Sequence, residues 1–246
     1  MSERGKQKRK EPAMAGADLL APSLLHELRQ PLTGADAAAV LLERALPDLR
    51  GADDWRLLRA QLARLGEIVN EYEGLLRPGK AEPEPFAVGP VVSRAVDLLA
   101  HRVRPLARRF GLERHDGEVQ GWGDPGALVH AATNLLANAL EAVESRGDGA
   151  RVLVRVLPSV TGGVEVRVSD EGVGIAPEHR ARLFEPRFTT KGDLRGSGLG
   201  LHVARELMSR YGGEVFLVGD DDPNRAPWAV TEFCIAVPPP PGGGAA

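Results

Sequence analysis

Cysteine is almost absent from this sequence of 246 residues, in which Cys234 is the only one. A single thiol excludes a disulfide framework within the chain, of the kind that stabilises small secreted proteins. Cys234 lies in the apolar segment TEFCIAV, where a free cysteine usually behaves as a small hydrophobic residue. We therefore predict that Cys234 is buried in the core.

Long apolar runs are missing as well. No segment approaches the ~20 apolar residues that a helix needs to cross a bilayer, and the basic start MSERGKQKRKEP is not followed by the apolar stretch of a signal peptide. The formal net charge of −3 gives no reason to expect binding to nucleic acid or to a membrane surface. These absences predict a cytoplasmic protein with no membrane span and no nucleic-acid partner.

Two segments of biased composition lie at the ends of the chain. Residues 1–16 are largely basic and polar, and residues 238–246 read PPPPGGGAA. Neither composition packs into a core, so both segments are predicted to be disordered tails. Between them, a hydrophobic fraction of 43% is enough for a core, and the length suits one or two domains.

Residues 17–78 are predicted to form a helical hairpin. Apolar side chains recur there in alternating steps of four and three, which is the 3.5-residue period of a coiled coil or helix bundle. Pro47 and Gly51 mark the turn, and Asp53 or Asp54 can cap the second helix. The recurring positions are Ala21, Leu25, Leu28, Leu32, Ala35, Ala39, Leu42 and Leu46, then Leu58, Leu62, Leu65, Val69, Tyr72 and Leu76.

The hairpin predicts an oligomer. Two helices bury one stripe each and leave much of it in water, whereas four helices close a core. The physical expectation is therefore a homodimer in which two hairpins form a four-helix bundle. The alternative is a hairpin that docks on the domain following it in the same chain.

A proline-rich, charged linker is predicted at residues 79–85, and a second domain at 86–237. The segments RVLVRV, VEVRVSD, EVFLVG and VTEFCIAV are typical of half-buried strands. Three helices are predicted between and around them, one of which has a clear start, with Asp124 as N-cap and Pro125 as its first residue. Helices on one face of a largely antiparallel sheet predict an α+β sandwich.

Asn134 and Asn138 give the first chemical signal in this domain. Four residues apart in a predicted helix, the two amides share one face, and buried asparagines need hydrogen-bond partners. An asparagine carbonyl is a hard oxygen ligand that suits Mg²⁺ bridging phosphates. The alternative is an ordinary pair of surface or capping amides.

Two glycine clusters follow. Asp170 leaves a predicted strand just before Gly172 and Gly174, and an aspartate at a strand end can accept a hydrogen bond from the amine of adenine. Glycines permit close backbone approach, and a helix N-terminus behind a glycine loop favours phosphate. The second cluster, RGSGLGL, contains Gly196, Gly198 and Gly200 and runs into a predicted helix.

In their order and spacing, the motifs resemble those of two-component sensor histidine kinases. HELRQPL resembles the H box, NLLANALEAV the N box, DEGVGI the G1 box, FEPRFTTK the F box and GSGLGL the G2 box. The resemblance covers residues from about 18 to 237, the transmitter core alone. The HELxQPL and NAxEA forms are similar to the soluble, nitrogen-regulation-like branch. The family fold is the ATP-binding fold shared with type II topoisomerases, Hsp90 chaperones and mismatch-repair ATPases.

The resemblance implies a role for each matching residue of the second domain. Asn138 matches the asparagine that coordinates Mg²⁺, and Asp170 matches the residue that recognises the adenine amino group of ATP. Lys191, in the lid after the F box, is placed to meet phosphate, an ordinary solvated lysine being the alternative. The other implied nucleotide-binding positions are Asn134, Gly172, Gly174, Gly196, Gly198, Leu199 and Gly200.

His26 matches the family's phosphate acceptor. A histidine nitrogen can attack the γ-phosphoryl group, and Glu27 matches the acidic partner that would orient the ring and accept a proton. Pro31 is expected to bend the helix so that these sequence neighbours can meet. Gln30 stands where many members carry Thr or Asn for dephosphorylating the regulator, so phosphatase activity is in doubt while kinase activity is not.

The resemblance thus implies an ATP-dependent, autophosphorylating homodimer that passes a phosphoryl group from His26 to an aspartate on a separate response regulator. A separate sensor or input protein is expected to supply the signal. Two other interpretations stay open at this point. One is a serine protein kinase or ATPase on the same fold, and the other is a degenerate dimeric scaffold.

Overall fold

The structure, a computed structural model, describes residues 17–76, 82–147, 149–160, 162–190 and 198–242. The side chains of residues 17–27 and of several α2 residues after 63 lie outside this description. The chain divides into two compact units, Met1–Arg77 and Pro78–Ala246.

The first unit is a hairpin of two helices, as the apolar period predicted. Helix α1 (Ala17–Ala45) is joined by a short 3₁₀ helix (Pro47–Gly51) to α2 (Asp53–Leu76). Helix α1 continues through Pro31, which has no N–H to donate to the carbonyl of residue 27. Asp53 is the first residue of α2, so its carboxylate lies in the first turn, where it favours the helix dipole.

Glu43 of α1 connects the two helices beside the turn. Its Oε1 accepts a hydrogen bond from Trp55 Nε1 at 3.0 Å and lies 3.4 Å from Arg59 Nε, both on α2. Arg59 also pairs with Asp36, about two turns before Glu43 on α1. These polar contacts fix the register of the two antiparallel helices near the turn.

Most of the hairpin leucines whose side chains the structure describes are exposed. Among the side chains that the structure describes in this unit, Ala39 and Val69 are the buried hydrophobic ones. The leucines that remain between 45% and 63% exposed are Leu28, Leu41, Leu42, Leu46, Leu57, Leu58 and Leu65. The pairing of α1 with α2 therefore covers only part of the apolar stripe.

The second unit contains a five-stranded sheet in the order β2-β4-β5-β7-β6 and a two-stranded sheet of β1 and β3. β2 and β4 are parallel, and the other pairs of both sheets are antiparallel. The strands are β1 (Glu84–Ala87), β2 (Phe110–Arg114), β3 (Gln120–Gly123), β4 (Val152–Pro158), β5 (Val164–Asp170), β6 (Glu214–Leu217) and β7 (Thr231–Val237). The helices are α3 (Val88–Leu98), α4 (Ala100–Val103), α5 (Pro125–Arg146), α6 (Pro177–Arg180) and α7 (Gly200–Ser209), with a 3₁₀ helix at Arg104–Arg109.

The core lies between one face of the large sheet and helices α3, α5 and α7. Alternate valines of β4 and β5 pack there against the leucines of α5, including Leu128, Leu135 and Leu140. Asp124 caps α5 as predicted, accepting a 2.7 Å hydrogen bond from Gly126 N, and Pro125 opens the helix. The predicted α+β sandwich is confirmed.

Three strands were not predicted. β1, β2 and β3 are short, and β1 begins at Glu84, inside the segment predicted as linker. At the other end, Pro238 still belongs to the fold, because its carbonyl accepts a 2.8 Å hydrogen bond from Trp122 N. The folded unit thus extends slightly beyond both predicted boundaries, 86 and 237.

The reverse face of the sheet, turned away from α3, α5 and α7, is charged yet buried. Glu232 is fully buried, and Arg167 is 2% exposed. Arg167 binds Glu232 at 3.0 Å, Glu165 at 2.7 Å and Asp222 at 3.0 Å. Burial alone would lower the pKa of Arg167, but these hydrogen bonds outweigh it and raise the pKa above its usual range. Cys234 is buried as predicted, on this same face opposite Arg167.

Arg167 is expected to stabilise the second unit strongly, because removing one member of a buried ion network leaves its partners uncompensated. We expect Arg167→Ala to lower the free energy of unfolding by about 3–5 kcal/mol. Urea denaturation followed by circular dichroism measures the loss.

Arg180→Ala is the matched control. Arg180 pairs with Asp220 at the surface, and solvent screens such pairs, so little change is expected. An equal loss of unfolding free energy in the two variants would contradict the stabilising role of the buried network.

Candidate functional site

Asp170 lies at the end of β5, where the chain leaves the central part of the sheet. The residue is 3% exposed, and its Oδ1 accepts a 2.8 Å hydrogen bond from Gly172 N. Burial raises the pKa of Asp170 to about 6, although the Gly172 hydrogen bond opposes the shift. A buried carboxylate with few polar partners is poised to accept a hydrogen bond from a ligand.

Gly172 brings the loop after β5 against α5. A Cβ at this position would lie 2.4 Å from Ala142 Cβ and 2.6 Å from the Ala142 carbonyl carbon, closer than real side chains approach. Gly174, two residues on, has a φ of +77°, a conformation that glycine adopts without strain. Gly172 thus permits the close packing of this loop on α5, and Gly174 permits the turn that follows.

Asn134, Asn138 and Ala142 form one stripe along α5, because residues four apart lie on the same helix face. At one end, Asn134 Nδ2 donates a 3.2 Å hydrogen bond to the carbonyl of Gly200, in the first turn of α7. At the other end, Ala142 meets the Gly172 loop. Asn138 is half-buried between these two contacts. Both asparagines therefore face the space bounded by α7 and the loop after β5.

The residues before α7 pack on the F box. Gly198 has a φ of +67°, and a Cβ there would lie 2.5 Å from the Arg187 carbonyl carbon and 2.7 Å from the Phe188 carbonyl oxygen. Leu199 is 8% exposed, and its carbonyl accepts the first hydrogen bond of α7, from Val203 N at 2.8 Å. Gly198 of the G2 box is therefore required for this close backbone packing.

Phe184 anchors the F box to the core. Its ring meets Phe233 of β7 edge-on, with centroids 6.2 Å apart. Its carbonyl lies 3.1 Å from His202 Nδ1 and 3.3 Å from Arg205 Nη2, both on α7. Phe188 also packs partly against the core. The F box thus fixes the base of the segment between β5 and α7.

Four of the predicted site residues fall wholly or partly outside the described part of the chain. Lys191 and Gly196 lie outside the described residues. His26 and Glu27 belong to α1 of the first unit, and their side chains lie outside the description too. Gln30, one turn after His26, is exposed.

One edge of the site is built by a segment that carries no motif. Val230, just before β7, donates its N–H to the Asp170 carbonyl at 2.9 Å. Trp228 lies under the Arg151 guanidinium, whose carbon is 4.1 Å from the ring centroid, and Arg151 pairs with Glu171 at 3.1 Å. No sequence signal marked these residues, since their contacts join segments far apart in the chain.

Comparison with known families defines the class of this domain. The family described as histidine kinase-, DNA gyrase B- and HSP90-like ATPase matches residues 123–241, which include α5, the loop after β5 and α7. The second unit is therefore an ATP-binding domain of this class.

Curated relatives extend the match into the first unit. The chain is 34% identical over 200 residues to the C4-dicarboxylate transport sensor protein DctB of Rhizobium meliloti, covering 80% of this chain and 31% of DctB. It is 30% identical over 212 residues to the sensor histidine kinase ZraS of Escherichia coli K12, covering 85% and 43%. With MprB of Mycobacterium leprae, a signal transduction histidine-protein kinase/phosphatase, it shares 35% identity over 202 residues, covering 76% and 37%. The chain spans less than half the length of each of these relatives.

Solved structures agree with this assignment. A mycobacterial sensor histidine kinase MprB structure matches with a TM-score of 0.50 and 29% identity, over 63% of this chain and 96% of that one. Full-length ShkA in complex with AMPPNP shares the fold with a TM-score of 0.62 and 23% identity, over 90% and 46%. The chain is homologous to the two-component sensor histidine kinases, as the motifs predicted. None of the helices in its described part has the length and apolar character of a membrane-spanning helix.

Asp170→Asn is expected to stabilise the protein at the expense of its site. A carboxyl whose pKa is higher in the folded chain than in the unfolded chain destabilises the fold when ionised. This penalty is complete above pH 6, shrinks as the pH falls and vanishes below about pH 4. At pH 8, the variant should be more stable by up to about 3 kcal/mol, at 1.36 kcal/mol per pKa unit.

Urea denaturation of wild type and Asp170→Asn at pH 8, 6 and 4 tests this expectation. The asparagine Oδ1 keeps the acceptor for Gly172 N–H, so the comparison isolates the charge. A variant less stable than wild type at pH 8 would show that the Asp170 charge is well solvated in the folded protein.

Proposed function

We propose that the protein is an ATP-dependent histidine kinase that phosphorylates His26 and passes the phosphoryl group to an aspartate on a separate response regulator. The observation that carries the proposal is the buried Asp170 carboxylate beside the loop after β5 and the α5 stripe, all within the residues that match the ATP-binding family. The chain's similarity to sensor kinases across both units supports the extension to phosphotransfer.

Asp170 is proposed to select adenine. Its ionised carboxylate accepts a hydrogen bond from the exocyclic amine of the base, while the Gly172 N–H holds the carboxylate in place. The nucleotide phosphates then extend toward residues 198–200, where the N-terminal end of the α7 dipole favours negative charge. Asn134 supports this end through its hydrogen bond to Gly200.

Mg²⁺ fits the same surface through one protein ligand. Among the residues that the structure describes, no group of three His, Cys, Asp or Glu side chains could hold a metal ion. A magnesium ion that keeps several of its waters would need only one or two protein oxygens. Asn138 would supply its amide oxygen from the half-buried stripe of α5. The ion's contribution, when bound, is to offset phosphate charge.

At His26, one ring nitrogen attacks the γ-phosphorus of ATP. The bond from that phosphorus to the β,γ-bridging oxygen breaks, and ADP leaves with the electron pair. Glu27 hydrogen-bonds the other ring nitrogen and accepts its proton, which keeps the ring neutral and oriented. Positioning contributes most of the rate in such a transfer.

A homodimer is proposed to complete the hairpin. Most of the described leucines of α1 and α2 stay exposed within one chain. Exposed apolar patches of this kind mark protein–protein interfaces. Two hairpins packed into a four-helix bundle would bury these leucines against each other.

Phosphorylation is tested by incubating the chain with γ-labelled ATP and Mg²⁺. Wild type should take up label that acid removes and alkali does not. His26→Ala should lose the label but keep ATP binding, and Asn138→Ala should lower the labelling rate about a hundredfold or more. His101→Ala is the control, because His101 is an exposed histidine of the second unit.

Two outcomes would overturn the proposed activity. Label that survives acid would exclude phosphohistidine and favour a serine kinase on the same fold. ATP binding without any label would favour a dimeric scaffold.

The proposed dimer is tested by sedimentation velocity over a range of concentrations. The double variant Leu42→Glu and Leu46→Glu places two charges on the exposed stripe and should sediment as a monomer. Leu98→Glu changes an equally exposed leucine of the second unit and should leave the dimer intact. A monomeric wild type, or a dimer in all variants, would contradict the proposed interface.

A further inference from the structure

Glu232 is a fully buried carboxylate with no place in the chemistry proposed above. It lies on the reverse face of the sheet, where its carboxylate accepts from Arg155 Nη2, Arg167 Nη1 and Ala226 N at 3.0 Å each. A fourth donor, Ser169 Oγ, is 2.6 Å away. One side chain thereby joins β4, β5, β7 and the β6–β7 connection, residues 218–230.

Two of the segments that Glu232 holds are directly connected to Asp170. Ser169 is its neighbour on β5, and Val230, which donates to the Asp170 carbonyl at 2.9 Å, ends the β6–β7 connection. The same Val230 forms a wall of the loop after β5, since a Cβ on Gly174 would lie 3.0 Å from Val230 Cγ1. Movement of either Ser169 or the β6–β7 connection would therefore shift the Asp170 carboxylate.

Arg225 provides further hydrogen bonds that hold the β6–β7 connection. Its Nη2 donates to the carbonyls of Ala229 and Val230 at 2.9 Å and 3.0 Å. The neighbouring Ala226 N–H is bound by Glu232. The β6–β7 connection is thus held at Ala226 by a buried carboxylate and at its end by a guanidinium.

A carboxylate is required at position 232 by the number of donors that converge there. An ionised carboxylate only accepts hydrogen bonds and has about four lone-pair sites. A glutamine would turn its NH₂ group toward guanidinium, hydroxyl or amide donors, and at least one of them would lose its acceptor. The isosteric change therefore disturbs the network while keeping the volume.

We propose that Glu232 is a positioning residue for the nucleotide site, which sets the Asp170 carboxylate against adenine from the opposite face of the sheet by holding Ser169 and the β6–β7 connection. The inference rests on the proposed function. Glu232 does not touch the nucleotide, so its effect is on the base-recognising residue.

Base selectivity distinguishes positioning from a general structural role. Guanine carries a carbonyl where adenine carries the amine, so GTP cannot donate to Asp170 at that atom. We would measure the Kd of the full chain for ATP and for GTP, with Mg²⁺, by isothermal titration calorimetry. Partial unfolding would weaken the binding of both nucleotides equally, whereas a displaced Asp170 carboxylate would weaken the binding of ATP alone.

Glu232→Gln should raise the Kd for ATP about tenfold and leave that for GTP nearly unchanged, since a hydrogen bond to a charged group accounts for a tenfold or larger effect. Glu165→Gln is the matched control. Glu165 also binds Arg167, at 2.7 Å, but lies at the far end of β5. Its ratio of ATP to GTP affinity should match that of wild type.

Ser169→Ala keeps the proposal testable if Glu232→Gln does not fold. Ser169→Ala removes one hydrogen bond to Glu232 without unpairing a charge, and should lower the ATP-to-GTP affinity ratio in the same direction by a smaller factor. An unchanged ratio in both Glu232→Gln and Ser169→Ala, with wild type binding ATP, would overturn the positioning role. A wild type that does not bind ATP would overturn the proposed function itself.

Discussion

The antiparallel ladder between β5 and β7 is the constraint on which the second unit depends. Its register pairs Asp170 with Thr231 and Ser169 with Glu232. Because side chains alternate along a strand, a slip by one residue would exchange the two faces of β5. The valines would then leave the core, and Asp170 would turn toward the reverse face. The fold and the site are therefore specified by the same hydrogen-bond pattern.

The sheet has two buried faces with different chemistry. One packs apolar side chains against α5, and the other holds the Arg167–Glu232 network. Apolar packing stabilises the fold while tolerating some change in side-chain shape. An ion network requires specific distances, and much of its stabilising free energy is lost when one partner moves. Asp170 lies at the edge where both meet. Burial raises the pKa of Asp170, so its ionised carboxylate opposes folding stability at neutral pH.

The sequence predicted those parts of this arrangement that depend on local signals. Asp124 and Pro125 mark the start of α5 through capping chemistry, and period-two alternation marks β4, β5 and β7. β1, β2 and β3 were missed because each has only four or five residues with little apolar alternation, and each pairs with a segment distant in the chain. The burial of Glu232 was not predicted for another reason. A charged residue alternating with apolar ones predicts a solvent-facing position, and only the β6–β7 connection, which covers it, makes it buried. The motifs located Asp170 and the glycines, but the contact with Val230 carries no motif.

Cys234 gives this chain a practical property. Its thiol is fully buried, and burial raises its pKa, so the reactive thiolate is strongly disfavoured. Since the sequence contains no other cysteine, the native chain is close to silent toward thiol-directed reagents. A cysteine introduced at an exposed position such as Val160, which is 92% accessible, would react alone. Fluorophores or spin labels can therefore be attached at chosen sites without first removing the natural residue, and distances between the two units can be followed in an otherwise unaltered protein.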